Sequence, residues 1–262
     1  MDNIYHQDNA RATVNSVIDD PMTQFIHSIY HMSLIMIGLT VVSWVLLLLT
    51  NTRPHQHLPF PGYVPVIVIF LAMVTMHCIP GIAYCSPCKW MMAGLVMVCT
   101  IVAGCFITFE LGLLTTVLVM LCVAVILLVL NFSGAKCPQE ILPGGLWSTM
   151  LMLVLLLVLV VVGIAQLCTG NEELLETFVA VLFIMLVIAI PIQAQFNHGR
   201  LDVVEVVPRE HLMICTLTVY LHTVMFFCCI SYFIEVSEKK AATASTDVHG
   251  HEVESVTERN YN

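Results

Sequence analysis

Cys85 and Cys88 have the spacing of a redox dithiol or of half a zinc site. A structural zinc needs four ligands, and the only other loop thiol is Cys137, while His77 falls inside an apolar run. A redox pair would ordinarily stand in a βαβ setting, which this sequence lacks. Glu110 is a second candidate. It is the single ionisable group in about forty nearly uninterrupted apolar residues between Trp90 and Leu130, and acids in such surroundings are costly and often functional. With Glu172, Glu173 and Glu176 it could form an acidic mouth that concentrates divalent cations before a pore. The plainer alternative is a set of solvated loop carboxylates, and Glu172 and Glu173 also stand where acids favour a helix amino terminus. His31 and His77 lie in apolar runs, where hydrogen-bonded packing is the ordinary role of a lone histidine. No membrane Ser–His pair or Asp pair suited to intramembrane hydrolysis stands out, and there is no Gly-rich phosphate loop or H-E-x-x-H. An enzyme is therefore not expected, and the residues imply neither a cofactor nor a resident metal.

The elements that must position these residues are set by composition. Of 262 residues, 59% are apolar and 10% charged, where a soluble domain carries about 25% charge, so the chain is expected to reside in a lipid bilayer. Nine Lys plus Arg against eighteen Asp plus Glu leave a net charge of −9, which excludes a basic footprint for nucleic acid. Eleven cysteines, most of them in or beside apolar runs, do not form a secreted disulfide framework and read as small buried hydrophobes.

A bilayer core of about 30 Å takes about 20 helical residues. Residues 1–21 are polar and lack the h-region of a removable signal, so the first run, Phe25 to Leu49, is an anchor closed by Asn51-Thr52-Arg53-Pro54. A second run, Tyr63 to Ile79, stops at the turn dipeptide Pro80-Gly81. The run from Trp90 to Leu130 is twice the length of one span and is expected to be a hairpin turning near Glu110 and Gly112. Asn131 to Gly145 reads as a loop; its Asn131-Phe132-Ser133 sequon is expected to be unused on the cytosolic face. Further spans run from Leu146 to Leu167, from Leu174 to Gln195 with Pro191 in its last turns, and from His211 to Ile234. The expectation is an all-α membrane protein, a seven-transmembrane-helix bundle over residues 22–235, followed by a disordered polar tail, 236–262. Seven spans place the termini on opposite faces, and a small excess of Lys and Arg favours a cytosolic amino end.

Three stretches resemble a known family. Phe25-Ile26-His27-Ser28-Ile29-Tyr30 with Met32-Ser33-Leu34 is similar to the opening of the transmembrane Bax inhibitor motif family, Lifeguard branch, with His27 and Ser28 where the family usually has basic residues. Ile192-Gln193-Ala194-Gln195, then Pro208-Arg209-Glu210-His211 and Leu217-Thr218-Val219-Tyr220-Leu221-His222, resemble its last loop and final helix. Across the middle of the chain only the hydrophobic pattern matches.

The resemblance implies a seven-helix bundle in endoplasmic reticulum, Golgi or related membranes that restrains cell death and passes a calcium leak, with calcium as the permeant ion and cell-death regulators or other membrane proteins as partners. In relatives, two aspartates of the last two helices share a proton at the pore's cytosolic end, because two close carboxylates do not both ionise cheaply. The matching positions here are Gln193 and His222. Gln193 cannot ionise, and a buried His222 is expected to be uncharged near neutral pH, so that latch does not carry over. A Gln193–His222 hydrogen bond opened by acid is one reading; two merely paired polar groups, in a non-conducting interaction protein, is the other.

Overall fold

Backbone amides in lipid have no water to bond, so a chain this apolar satisfies them within helices. The computed structural model describes residues 21–51, 58–136, 145–198 and 211–259, and among these residues it is all helix, with no strand. In chain order the helices are α1 (Pro21–Leu49), α2 (Tyr63–Cys78), α3 (Pro80–Tyr84), α4 (Ser86–Leu111), α5 (Leu113–Lys136), α6 (Gly145–Thr169), α7 (Glu172–Asn197) and α8 (Leu212–Arg259). Six of them, α1 and α4 to α8, are long and apolar enough to cross a membrane, which makes this a multi-pass membrane architecture. The expected count of seven rests on these six and on α2, a shorter apolar helix of 16 residues. Residues 1–20, the Arg53-Pro54 break, Cys137 and the rest of its loop, and Pro208-Arg209-Glu210 lie outside the described residues.

Local chemistry explains the boundaries. Gly112, at φ 75°, splits the long apolar run into α4 and α5 and donates its N–H to Thr108 O at 3.1 Å. That backbone angle lies in the left-handed region glycine tolerates best, so the hairpin turns where the sequence suggests. Pro80-Gly81 differs from expectation, since it opens the short helix α3 rather than a turn. Proline at the first helical position has no N–H to lose and a suitable φ. α7 likewise runs past the expected end of its span at Gln195, to Asn197. α8 continues without a break past Glu235, where the polar tail is expected to begin; a Lys239–Glu235 pair, one turn apart, lies on this stretch.

α8 lies at the centre, packed against α1, α4, α5 and α7. Tyr220, Phe226, Phe227 and Leu217 on this helix are fully buried. Polar groups fasten α1 to it: Ser33 Oγ donates to Thr216 O at 2.9 Å, and the hydroxyls of Thr40 and Tyr220 lie 2.8 Å apart. Trp44 stacks on Phe227 and donates its indole N–H to Ile101 O of α4 at 2.9 Å. α2 runs antiparallel to α4, with Gly62 beside Phe106 at one end and Met76 near Tyr84 at the other. α5 meets α7 through Gly134, which lies directly on the backbone of Pro191. α6 packs chiefly on α7.

Candidate functional site

At one end of the bundle the last turns of α2 and α7 meet α3 and the first turns of α8 around a cavity of about 260 Å³. Its walls include His77, Tyr84, Gln193, His211, Cys215 and Thr218. Gln193 reaches this wall because α7 continues as helix through Pro191 to Asn197, although an internal proline removes one backbone hydrogen bond. The Gln193 carboxamide donates to Asn197 Oδ1 at 2.8 Å, a contact between neighbours one turn apart. Tyr84 Oη lies 3.5 Å from His211 Nε2, with the two rings 5.6 Å apart. His211 Nδ1 is buried and has no hydrogen-bond partner.

Behind this wall sits a polar network that the sequence reading misses. Asn197 is fully buried, and Tyr30 of α1 stands near it. Tyr30 donates to Asn131 Oδ1 of α5 at 3.4 Å, and Asn131 Nδ2 donates to Leu127 O at 2.9 Å. The sequon asparagine is thus part of a helix that packs into the bundle. Asn197 Nδ2 and Gln195 Nε2 are buried without partners. The available signal was the four-residue spacing of Gln193 and Asn197, which puts both amides on one helical face.

His222 is half-buried on α8, one turn beyond Thr218, and does not line the cavity. No hydrogen bond joins its ring to Gln193 among the described residues, the Gln193 amide being engaged by Asn197. Beyond the cavity, Leu186 and Ile190 of α7 and Leu217, Leu221 and Val224 of α8 are buried apolar side chains.

No protein-family model matches the chain, and no curated protein matches it.

Glu110 is exposed at the last turn of α4, at the opposite end from Gln193. The acids do gather there: Glu110 and Glu172 are close enough to act electrostatically on Lys239, and Glu176 binds Lys240 Nζ at 2.8 and 3.0 Å across α7 and α8. Two lysines stand among the carboxylates, so the charge is partly neutralised. Asn171 caps α7 by accepting from the Glu173 N–H at 2.9 Å, with Glu172 and Glu173 in the first turn where the helix dipole favours acids. Among the described residues no group of three or more His, Cys, Asp or Glu side chains could hold a metal ion.

Proposed function

We propose that the chain is a divergent relative of the Bax inhibitor and Lifeguard proteins that modulates calcium handling and restrains cell death from an intracellular membrane, endoplasmic reticulum or Golgi. In this reading α2 is the seventh crossing. Its 16 residues extend about 24 Å at 1.5 Å per residue, and it is laid along the full-length helix α4. The observation that carries the proposal is the position of Gln193, which stands on a cavity wall where the last two long helices meet at one end of the bundle. This is the place where the resemblance puts one member of the family's acid pair.

A second reading, a non-conducting membrane protein acting through contacts with other membrane proteins, is favoured by two specific features. Gln193 is bonded within its own helix, and Leu186, Ile190, Leu217, Leu221 and Val224, buried beyond the cavity, offer an ion no coordinating groups. Calcium efflux from liposomes containing the purified chain separates the two. Efflux above that of empty liposomes supports the calcium reading. Silence from the natural chain, with leak appearing in the Gln193→Asp, His222→Asp double variant, assigns the non-conducting role. Measured across pH 5 to 8, a leak that depends on His222 would point to acid opening, and a flat profile in both the natural chain and His222→Gln would remove that element.

A further inference from the structure

Cys85 and Cys88 stand together in the first turn of α4. Cys85 is the residue preceding helix α4, with extended backbone at φ −67° and ψ 122°, and Cys88 is the third residue of that helix. The two side chains are near enough for each to act electrostatically on the other. Tyr84, Cys85, Ser86 and Pro87 are all exposed, and Cys88 is half-buried, so Cys85 is the more accessible residue of the pair. Pro87 occupies the second helical position and fixes the turn between them. The backbone bond from Lys89 N to Cys85 O, 3.0 Å, closes the first helical turn over the pair.

We propose that Cys85 and Cys88 form a reversible redox dithiol at the surface of the bundle, oxidised to an intrahelical disulfide by exchange with a low-molecular-weight disulfide such as oxidised glutathione. Cys85 is the attacking sulfur, because it is the more exposed residue of the pair and so the one an exchange partner reaches first. Its thiolate attacks one glutathione sulfur; the Cys85–glutathione bond forms as the glutathione S–S bond breaks, and one glutathione thiolate leaves. Cys88 then gives up its proton and attacks the Cys85 sulfur, and the second glutathione thiolate leaves. Two thiols of the chain are oxidised, one disulfide is reduced to two glutathione molecules, and the two protons lost by the cysteines end on those thiolates. The other cysteines lack this arrangement: Cys105, Cys215 and Cys229 are buried in the bundle, where exchange partners do not reach. With no third metal ligand in place among the described residues, the pair is better suited to exchange than to zinc.

The test uses the full chain in detergent micelles, equilibrated in glutathione buffers from reducing to oxidising, acid-quenched and alkylated with maleimide. Mass spectrometry of the peptide carrying both cysteines reads the result. The expected outcome is loss of both maleimide additions under oxidising buffer, restored by dithiothreitol. Cys88→Ser is expected to trap one glutathione on Cys85, and Cys85→Ser to leave Cys88 largely maleimide-reactive. Three results overturn the proposal: both thiols stay alkylatable in oxidised glutathione while the Cys88→Ser variant traps nothing; zinc alone protects both from maleimide at stoichiometric loading; or Cys85 from cell membranes carries a hydroxylamine-labile acyl group that blocks exchange. The serine variants alter exposed or half-exposed positions, so thermal stability of each variant checks that the fold is intact.

Discussion

Of helices α6 and α8, α6 is clearly the more apolar, and it is the one that lies outside. None of the spanning window of α6 is buried, whereas half of that of α8 is. α6 is a nearly pure Leu and Val helix with Leu153, Leu157 and Val161 facing out, and α8 interleaves Thr216, Tyr220 and Ser231 with its aromatic residues. Lipid tails are as apolar as leucine, so apolar surface gives a membrane helix little reason to leave the lipid. Hydroxyls, close backbone approach and shape-matched aromatics do, and these are what α8 and its neighbours supply. Position in the bundle follows polar and small residues rather than hydropathy.

The strongest way to break that rule is at a close backbone approach. A side chain at Gly134 of α5 would run into the backbone of Pro191, including its Cα at 2.7 Å, and backbone inside a helix cannot move aside as a side-chain tip can. Gly134→Val is expected to destabilise the bundle by about 3 kcal/mol or more, at or beyond the upper end for overpacked cores, and to lower the yield of folded protein. Gly38→Val, where a Cβ meets nothing within 4 Å, serves as the control and is expected to be near neutral. Comparable thermal stabilities in detergent for the two variants would show that α5 and α7 are not in backbone contact.

A smaller effect sharpens the hydroxyl part. Tyr220 is fully buried with its hydroxyl 2.8 Å from that of Thr40, so α1 and α8 are joined by one hydroxyl pair. Tyr220→Phe is expected to cost about 1 kcal/mol, between the average of about 0.6 and the maximum of about 1.7 for interhelical hydrogen bonds in membranes. A double-mutant cycle with Thr40→Val, followed by unfolding in mixed micelles, should show coupling of that order. Additive single effects would mean that the two hydroxyls do not interact.

The contrast also separates what was legible in the chain from what was not. Helix limits were readable wherever length met a breaker: Leu49 before a polar break, Gly112 between α4 and α5, Asn171 before α7. Breakers misled where their position within a helix mattered. Pro80-Gly81 reads as a turn yet starts α3, and this shift puts Cys85 at the head of α4 rather than in a loop. Which faces meet was not legible, because hydropathy has no direction in a helix that is apolar all round. For that reason the Tyr30, Asn131 and Asn197 network, drawn from three helices, was invisible, and so was the separation of Gln193, on the cavity wall, from His222, away from it. Glu110 was correctly placed near the turn, but a carboxylate that sits in the last helical turn is exposed and need not be explained by a pore.

The least disruptive change should be the most informative about α6. Leu157 is 64% exposed and faces away from the bundle, so truncation to alanine opens no internal cavity and removes contacts only with lipid. The helix remains long enough to span, and a lipid-facing side chain has the same surroundings before and after the bundle forms. Leu157→Ala is therefore expected to change stability by less than about 0.5 kcal/mol, the ordinary size for a surface substitution. A loss of 2 kcal/mol or more, of the order expected for leucine truncation in a packed core, would mean that this face is covered by protein. If the loss also grew smaller on dilution of the protein in detergent, the cover would be another chain, and α6 would be an interface rather than the outer wall.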